Sequence, residues 1–118
     1  MPAIREDLRF YPRKELNTDV LYKIEGEADF TAHHSINIGP GGVLLETKTP
    51  LKEGTTLELC FSLPNSQQLI KAEGRVVWIN HQTKKRESPS KASVYHLVGV
   101  EFTSMGEDAK RIIEEFLR

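Results

Sequence analysis

Two arginines four residues apart, Arg9 and Arg13 in "RFYPR", and an asparagine at the head of a glycine-rich turn, Asn37 in "NIGPGG", are the residues of this chain best suited to chemistry. Guanidinium groups are planar forks of donors that grip phosphate, or the O6/N7 edge of guanine, in bidentate fashion, and they stack on bases. An amide such as Asn37, on an outward strand position, could meet a guanine's Watson–Crick edge. Gly39, Gly41 and Gly42 let the backbone take positive φ or come close to another group, while Pro40 fixes its own φ and removes a donor. Two arginines, an amide and a glycine turn together suit a guanine nucleotide. Each also has a plainer use: a solvated basic arm, a strand-end turn former, a hairpin without a ligand.

Other chemistry finds little support. His33 and His34 are neighbours in a strand-like run and so point to opposite faces, the wrong geometry for joint metal binding; His81 and His96 add no ligand spacing. The carboxylates are scattered over turns and a helix face, with no pair placed to work as acid and base. "GPGG" lacks the lysine and the Ser/Thr of a phosphate-binding loop and does not lead into a helix. Cys60, the single cysteine, excludes an intrachain disulfide and a thiolate metal cluster. The expectation is a non-enzyme with no catalytic residues, no metal and no cofactor. A net charge of −1 gives no global pull toward nucleic acid or anionic membrane. "MPAIREDLRF" carries charges where a secretory signal would be apolar, and no run approaches membrane-spanning length, so a cytoplasmic protein without membrane insertion is expected.

The elements that must hold these residues are mostly strands. With 118 residues the chain should form one domain around one modest core. Up to about residue 103, apolar and polar residues alternate in short runs broken by turn chemistry, an antiparallel β pattern. Val20, Tyr22 and Ile24 share one parity, with a turn at Gly26. Phe30, Ala32, His34, Ile36 and Ile38 share the next inward parity, which leaves Asp29, Thr31, His33, Ser35 and Asn37 outward. Leu57, Leu59, Phe61 and Leu63 form the clearest strand. Gly74 interrupts the long run "QQLIKAEGRVVWIN" as a bulge would, and parity across it leaves the direction of Trp78 open, with a core position at least as good as a surface one. Residues 81–93, "HQTKKRESPSKAS", lack an apolar period and read as a long, mobile hairpin loop whose Lys84, Lys85 and Arg86 are solvated. In "SMGEDAKRIIEEFLR" the period changes to 3.6: Ser104 and Glu107 match a capping box, and Ala109, Ile112, Ile113, Phe116 and Leu117 make one apolar stripe. Some six strands in hairpin order plus one helix predict an all-β barrel, six-stranded and antiparallel, with a C-terminal α-helix.

On these residues the chain resembles the PilZ domain family, bacterial receptors for cyclic di-GMP. That family carries RxxxR in a flexible N-terminal segment and (D/N)xSxxG between its second and third strands. "RFYPR" supplies the first motif through Arg9 and Arg13, and "NIGPGG" the second through Asn37 and Gly42; "GRVVW" and "HLVGVEF" look like the family's fifth and last strands. The resemblance implies an arm, residues 1–15, followed by a barrel with its helix, residues 16–118. It implies binding of cyclic di-GMP by Arg9, Arg13, Asn37, Gly39 and Gly42, with Trp78 flanking the nucleotide. It further implies an arm that is mobile when empty, closes over the nucleotide and alters a surface read by an effector protein in motility or biofilm regulation. Gly39 departs from the motif serine and removes a hydroxyl, worth up to roughly tenfold in affinity. Leu8 stands where a further arginine could stack on a second ligand molecule, so one ligand per domain is expected. The rivals are a PilZ-like interaction module that has lost the nucleotide, acting in pilus or motility machinery, and a small barrel binding single-stranded nucleic acid, which the charge balance disfavours.

Overall fold

The computed structural model describes the backbone of residues 13–88 and 91–118, and the side chains of 13–80 and 94–118. Among the described residues seven strands precede one helix: β1 Lys14–Glu15, β2 Asp19–Ile24, β3 Thr31–Ile38, β4 Gly42–Thr47, β5 Thr56–Phe61, β6 Ile70–Ser88, β7 Lys91–Met105 and α1 Glu107–Leu117. All pairings are antiparallel, and β3 meets β4 to close the order β3-β2-β5-β6-β7-β4 into a six-stranded barrel. The short β1 lies outside the ring, following β3 at Asn37 and Ile38 where β2 has already left it.

Alternation builds the interior. Val20, Tyr22, Leu57, Leu59, Phe61 and Leu63 are all buried, as are Val98 and Val100 from β7. The helix adds Ile112 and Ile113 to the same core, with Ala109, Phe116 and Leu117 packed against it, the expected stripe. Gly26, at φ +91°, makes the β2–β3 turn that only glycine adopts without strain.

Three expectations are corrected. The inward set Phe30, Ala32, His34 and Ile36 is displaced by a bulge at Ile36, where Ser35 pairs with Leu45 and Asn37 with Leu44. An extra residue reverses parity on one side of itself. Upstream, therefore, His33 and Ser35 face inward and Phe30, Ala32 and His34 are exposed; downstream, Ile38 is buried and Asn37 faces out as expected. Residues 81–93 do not form a long loop: β6 runs to Ser88, β7 starts at Lys91, and Thr83, Lys84, Lys85 and Arg86 pair with Tyr95, Val94, Ser93 and Ala92. A two-stranded ribbon satisfies its backbone within itself, so it needs no apolar alternation. The expected capping box is also absent. Ser104 still belongs to β7, opposite Glu73, and the helix starts after Gly106 with no side-chain cap, its first turn carrying Glu107 and Asp108 toward the positive end of the helix dipole.

Candidate functional site

The segment after the first motif is stitched to β3 before any ligand need be considered. Leu16 donates its N–H to the carbonyl of the bulged Ile36 (2.8 Å), and Ser35 donates its N–H to Thr18 (3.0 Å). The buried Ser35 hydroxyl lies 2.6 Å from the Thr18 carbonyl and accepts from the Thr18 N–H at 3.2 Å. The bulge that turns Asn37 outward thus also anchors the chain on which Arg13 sits.

Arg13 and Asn37 meet directly. The guanidinium Nε donates to Asn37 Oδ1 at 2.8 Å, and one Nη donates to the Gly42 carbonyl at 3.4 Å. The remaining nitrogen, Nη1, is shut off from solvent with no hydrogen-bond partner. Burial lowers the Arg13 pKa from its ordinary value, yet guanidinium stays cationic at neutral pH. The half-buried cation therefore keeps one donor unused, packed against Gly39.

The turn's glycines serve close approach. Among the described residues positive φ occurs only at Gly26 and Gly54, so residues 39–42 need no left-handed backbone. A Cβ on Gly39 would stand 2.8 Å from Arg13 Nη1 and 3.3 Å from its Cγ, and one on Gly42 would strike the Val100 carbonyl. Gly39 N–H bonds the Gly42 carbonyl (2.9 Å), and Gly41 accepts from Phe102 N–H (2.8 Å), which fixes the turn against β7.

Trp78 belongs to the outer wall, not the core. A bulge at Val77 leaves Val76 inward, opposite Val100, and sets Trp78 opposite Gly99. The indole lies across Gly99, where any Cβ would collide with its ring. Cross-strand register then puts Asn37, Leu44, Gly99 and Trp78 in one outward row over β3, β4, β7 and β6. At strand spacing the row is roughly 14 Å long. Arg13, Asn37, Gly39 and Gly42 thus form one cluster, with Trp78 at the far end of the same face. Arg9 and Leu8 lie outside the described residues. Leu44, which floors the row, and Gly99 belong to neither motif; a glycine inside "HLVGVEF" is the sequence signal of such a close approach.

Elsewhere chemistry is sparse. Among the described residues no three His, Cys, Asp or Glu side chains gather as metal ligands, and no helix is long and apolar enough to cross a membrane. His33, turned inward, stacks on Tyr22 with centroids 4.6 Å apart, and its Nε2 lies 3.3 Å from Thr47 Oγ1.

Comparison with known proteins agrees with this architecture. The PilZ domain matches residues 7–118. No curated protein sequence matches the chain. Among solved structures, the Bacillus subtilis inhibitor of motility MotI/DgrA superposes with a TM-score of 0.71 at 19% identity, over 92% of this chain and 49% of that one. The PilZ domain of Escherichia coli YcgR with c-di-GMP gives 0.69 at 13% identity, over 92% and 88%. The K. pneumonia MrkH–c-di-GMP complex gives 0.68 at 22%, over 92% and 49%. The chain spans about half the length of MotI/DgrA and MrkH. At such identities these neighbours speak for the fold, whereas the match along residues 7–118 speaks for descent: this chain belongs to the PilZ domain family.

Proposed function

We propose that the chain is a cyclic di-GMP receptor and adaptor, acting not as an enzyme but as a second-messenger switch in the bacterial cytoplasm. The carrying observation is the union of its two motifs: Arg13 is bonded to Asn37, 24 residues away, at 2.8 Å, with Nη1 unpaired at the edge of the turn. Arg13 and Arg9 grip the ligand's phosphates or guanine O6/N7 edges, Gly39 and Gly42 let it approach the backbone, and Trp78 closes the far end of the row. The arm moves across the nucleotide and changes the surface that an effector protein reads. The neighbours whose structures include c-di-GMP, YcgR and MrkH, support this reading by their likeness.

A calorimetric titration with cyclic di-GMP tests it. Saturable binding of one nucleotide per chain is expected, weakened at least tenfold in Arg13→Ala and in Arg9→Ala, because a charge-assisted hydrogen bond contributes about 1.5–3 kcal/mol. Two nucleotides per chain would refute the stoichiometry. Absence of binding would favour the second reading, an interaction module without nucleotide. That reading has one observation of its own: Arg13 fills the space beside Gly39 where the motif's serine side chain would stand.

A further inference from the structure

Glu101 sits beside the motif without having been part of it. In the β4–β7 register it lies opposite Gly42, and across β6–β7 opposite Arg75. Its neighbours Val100 and Gly99 point inward and outward respectively, so Glu101 projects on the outer face, one row from Asn37, Leu44, Gly99 and Trp78. It therefore flanks the Gly42 carbonyl that Arg13 holds. Its Oε2 is closed off from solvent and has no hydrogen-bond partner. A carboxylate oxygen only accepts, and leaving one buried without a donor is costly. The same outer face thus holds an unpaired donor, Arg13 Nη1, and an unpaired acceptor, Glu101 Oε2.

Asn37 alone does not supply the two acceptors a guanine asks for. One lone pair of its Oδ1 already accepts from Arg13, which leaves one, and its amide nitrogen only donates. The Watson–Crick edge of guanine presents two donors, N1–H and the 2-amino group, which call for acceptors. We propose that Glu101 is a further ligand-binding residue and the one that selects guanine: its carboxylate accepts from N1–H and the 2-amino group of one base, while Arg13 Nη1 donates to the same nucleotide. This assignment rests on the reading of the chain as a cyclic di-GMP receptor. Adenine offers an unprotonated N1 at this edge and no 2-amino group, so the carboxylate disfavours it. Hypoxanthine keeps N1–H and lacks only the 2-amino group.

The test compares cyclic di-GMP with cyclic di-IMP, its hypoxanthine analogue, by calorimetric titration of the wild-type chain, Glu101→Ala and Glu101→Gln. The wild type should prefer cyclic di-GMP about tenfold, the magnitude of one hydrogen bond to a charged group. Glu101→Ala should bind the two within about twofold of each other, and Glu101→Gln should fall between. The preference is a ratio measured on one protein, so a smaller folded fraction in a variant cancels; were the alanine variant not to fold, the near-isosteric glutamine variant decides. A wild-type ratio retained in the variants, or a wild type indifferent to the 2-amino group, overturns the role of Glu101 and leaves the receptor reading standing. A wild type that binds neither ligand overturns both.

Discussion

Arg13 lies in the space that a side chain on residue 39 would need, and this contact ties the missing motif hydroxyl to the position of the arginine. Replacing Gly39 with serine would push the guanidinium off the turn and restore an acceptor and donor toward a ligand. Affinity of Gly39→Ser for cyclic di-GMP should rise by up to roughly tenfold, the net effect of one hydrogen bond, and titration beside the wild type measures it. A fall in affinity would show that Arg13 must rest against residue 39 to bind. His33 makes a prediction of a different kind. Burial against Tyr22 and Thr47 lowers its pKa from the ordinary 6.5. The unfolded chain therefore takes up the proton first as pH falls, so this residue's stabilising contribution is present above about pH 6.5 and is lost as pH drops through that value toward the folded pKa. His33→Phe keeps the aromatic stack and removes the titration. The difference in urea midpoint between wild type and variant should shift against the wild type between about pH 7.5 and 5; a constant difference would refute a titrating His33.

At the scale of elements, two bulges decide what faces outward. Ile36 and Val77 are each the extra residue of a pair, and without them Asn37 and Trp78 would not share a row with Leu44 and Gly99. The strands themselves were legible: Leu57, Leu59, Phe61 and Leu63 alternate cleanly because β5 buries one face. Bulges were only partly so. Gly74 marks its bulge by lacking a side chain, but Ile36 and Val77 are ordinary strand residues whose side chains carry no mark of the shift; at Ile36 the displaced carbonyl accepts from Leu16. The motif residues could be found because their spacing is read along the chain, while Glu101 and Leu44 come beside the motif only through cross-strand register. Gly99 offers a direct check, since Trp78 is the chain's single tryptophan and reports alone in fluorescence. Gly99→Ala should lift the indole from the wall and move its emission to longer wavelength; unchanged emission would mean that the ring does not lie over residue 99. A second element-level link joins β1 to α1. Lys14 Nζ donates to the Phe116 carbonyl at 2.8 Å and stands 4.9 Å over the Phe116 ring, supplying a cation to a helix whose own last turn has none. Lys14→Ala should destabilise the fold by about 0.5–1 kcal/mol and speed amide exchange in the last turn of the helix. Unaltered exchange there would show that the contact carries no weight.

On the scale of the whole molecule, the barrel is closed and its interior filled by one continuous cluster from Leu16 to Ile113, so the proposed ligand face is the outside of a finished core. Binding there need not open the barrel. The first motif adjoins Lys14, which reaches the far end of the chain at Phe116, 102 residues away, so the nucleotide would bridge elements already joined in the native state. A ligand of this kind binds the folded chain and not the unfolded one, and it stabilises by mass action. Cyclic di-GMP at about 100 times its Kd should therefore add about 2.7 kcal/mol, which for a domain of this size raises Tm by roughly 10 °C. Arg13→Ala makes the experiment specific. Half-buried Arg13 contributes its bonds to Asn37 and Gly42 at the surface of the turn, so the variant should melt close to the wild type without nucleotide and shift far less at the same ligand concentration. An equal shift in both proteins would place the nucleotide elsewhere on the barrel, away from the face where the two motifs meet.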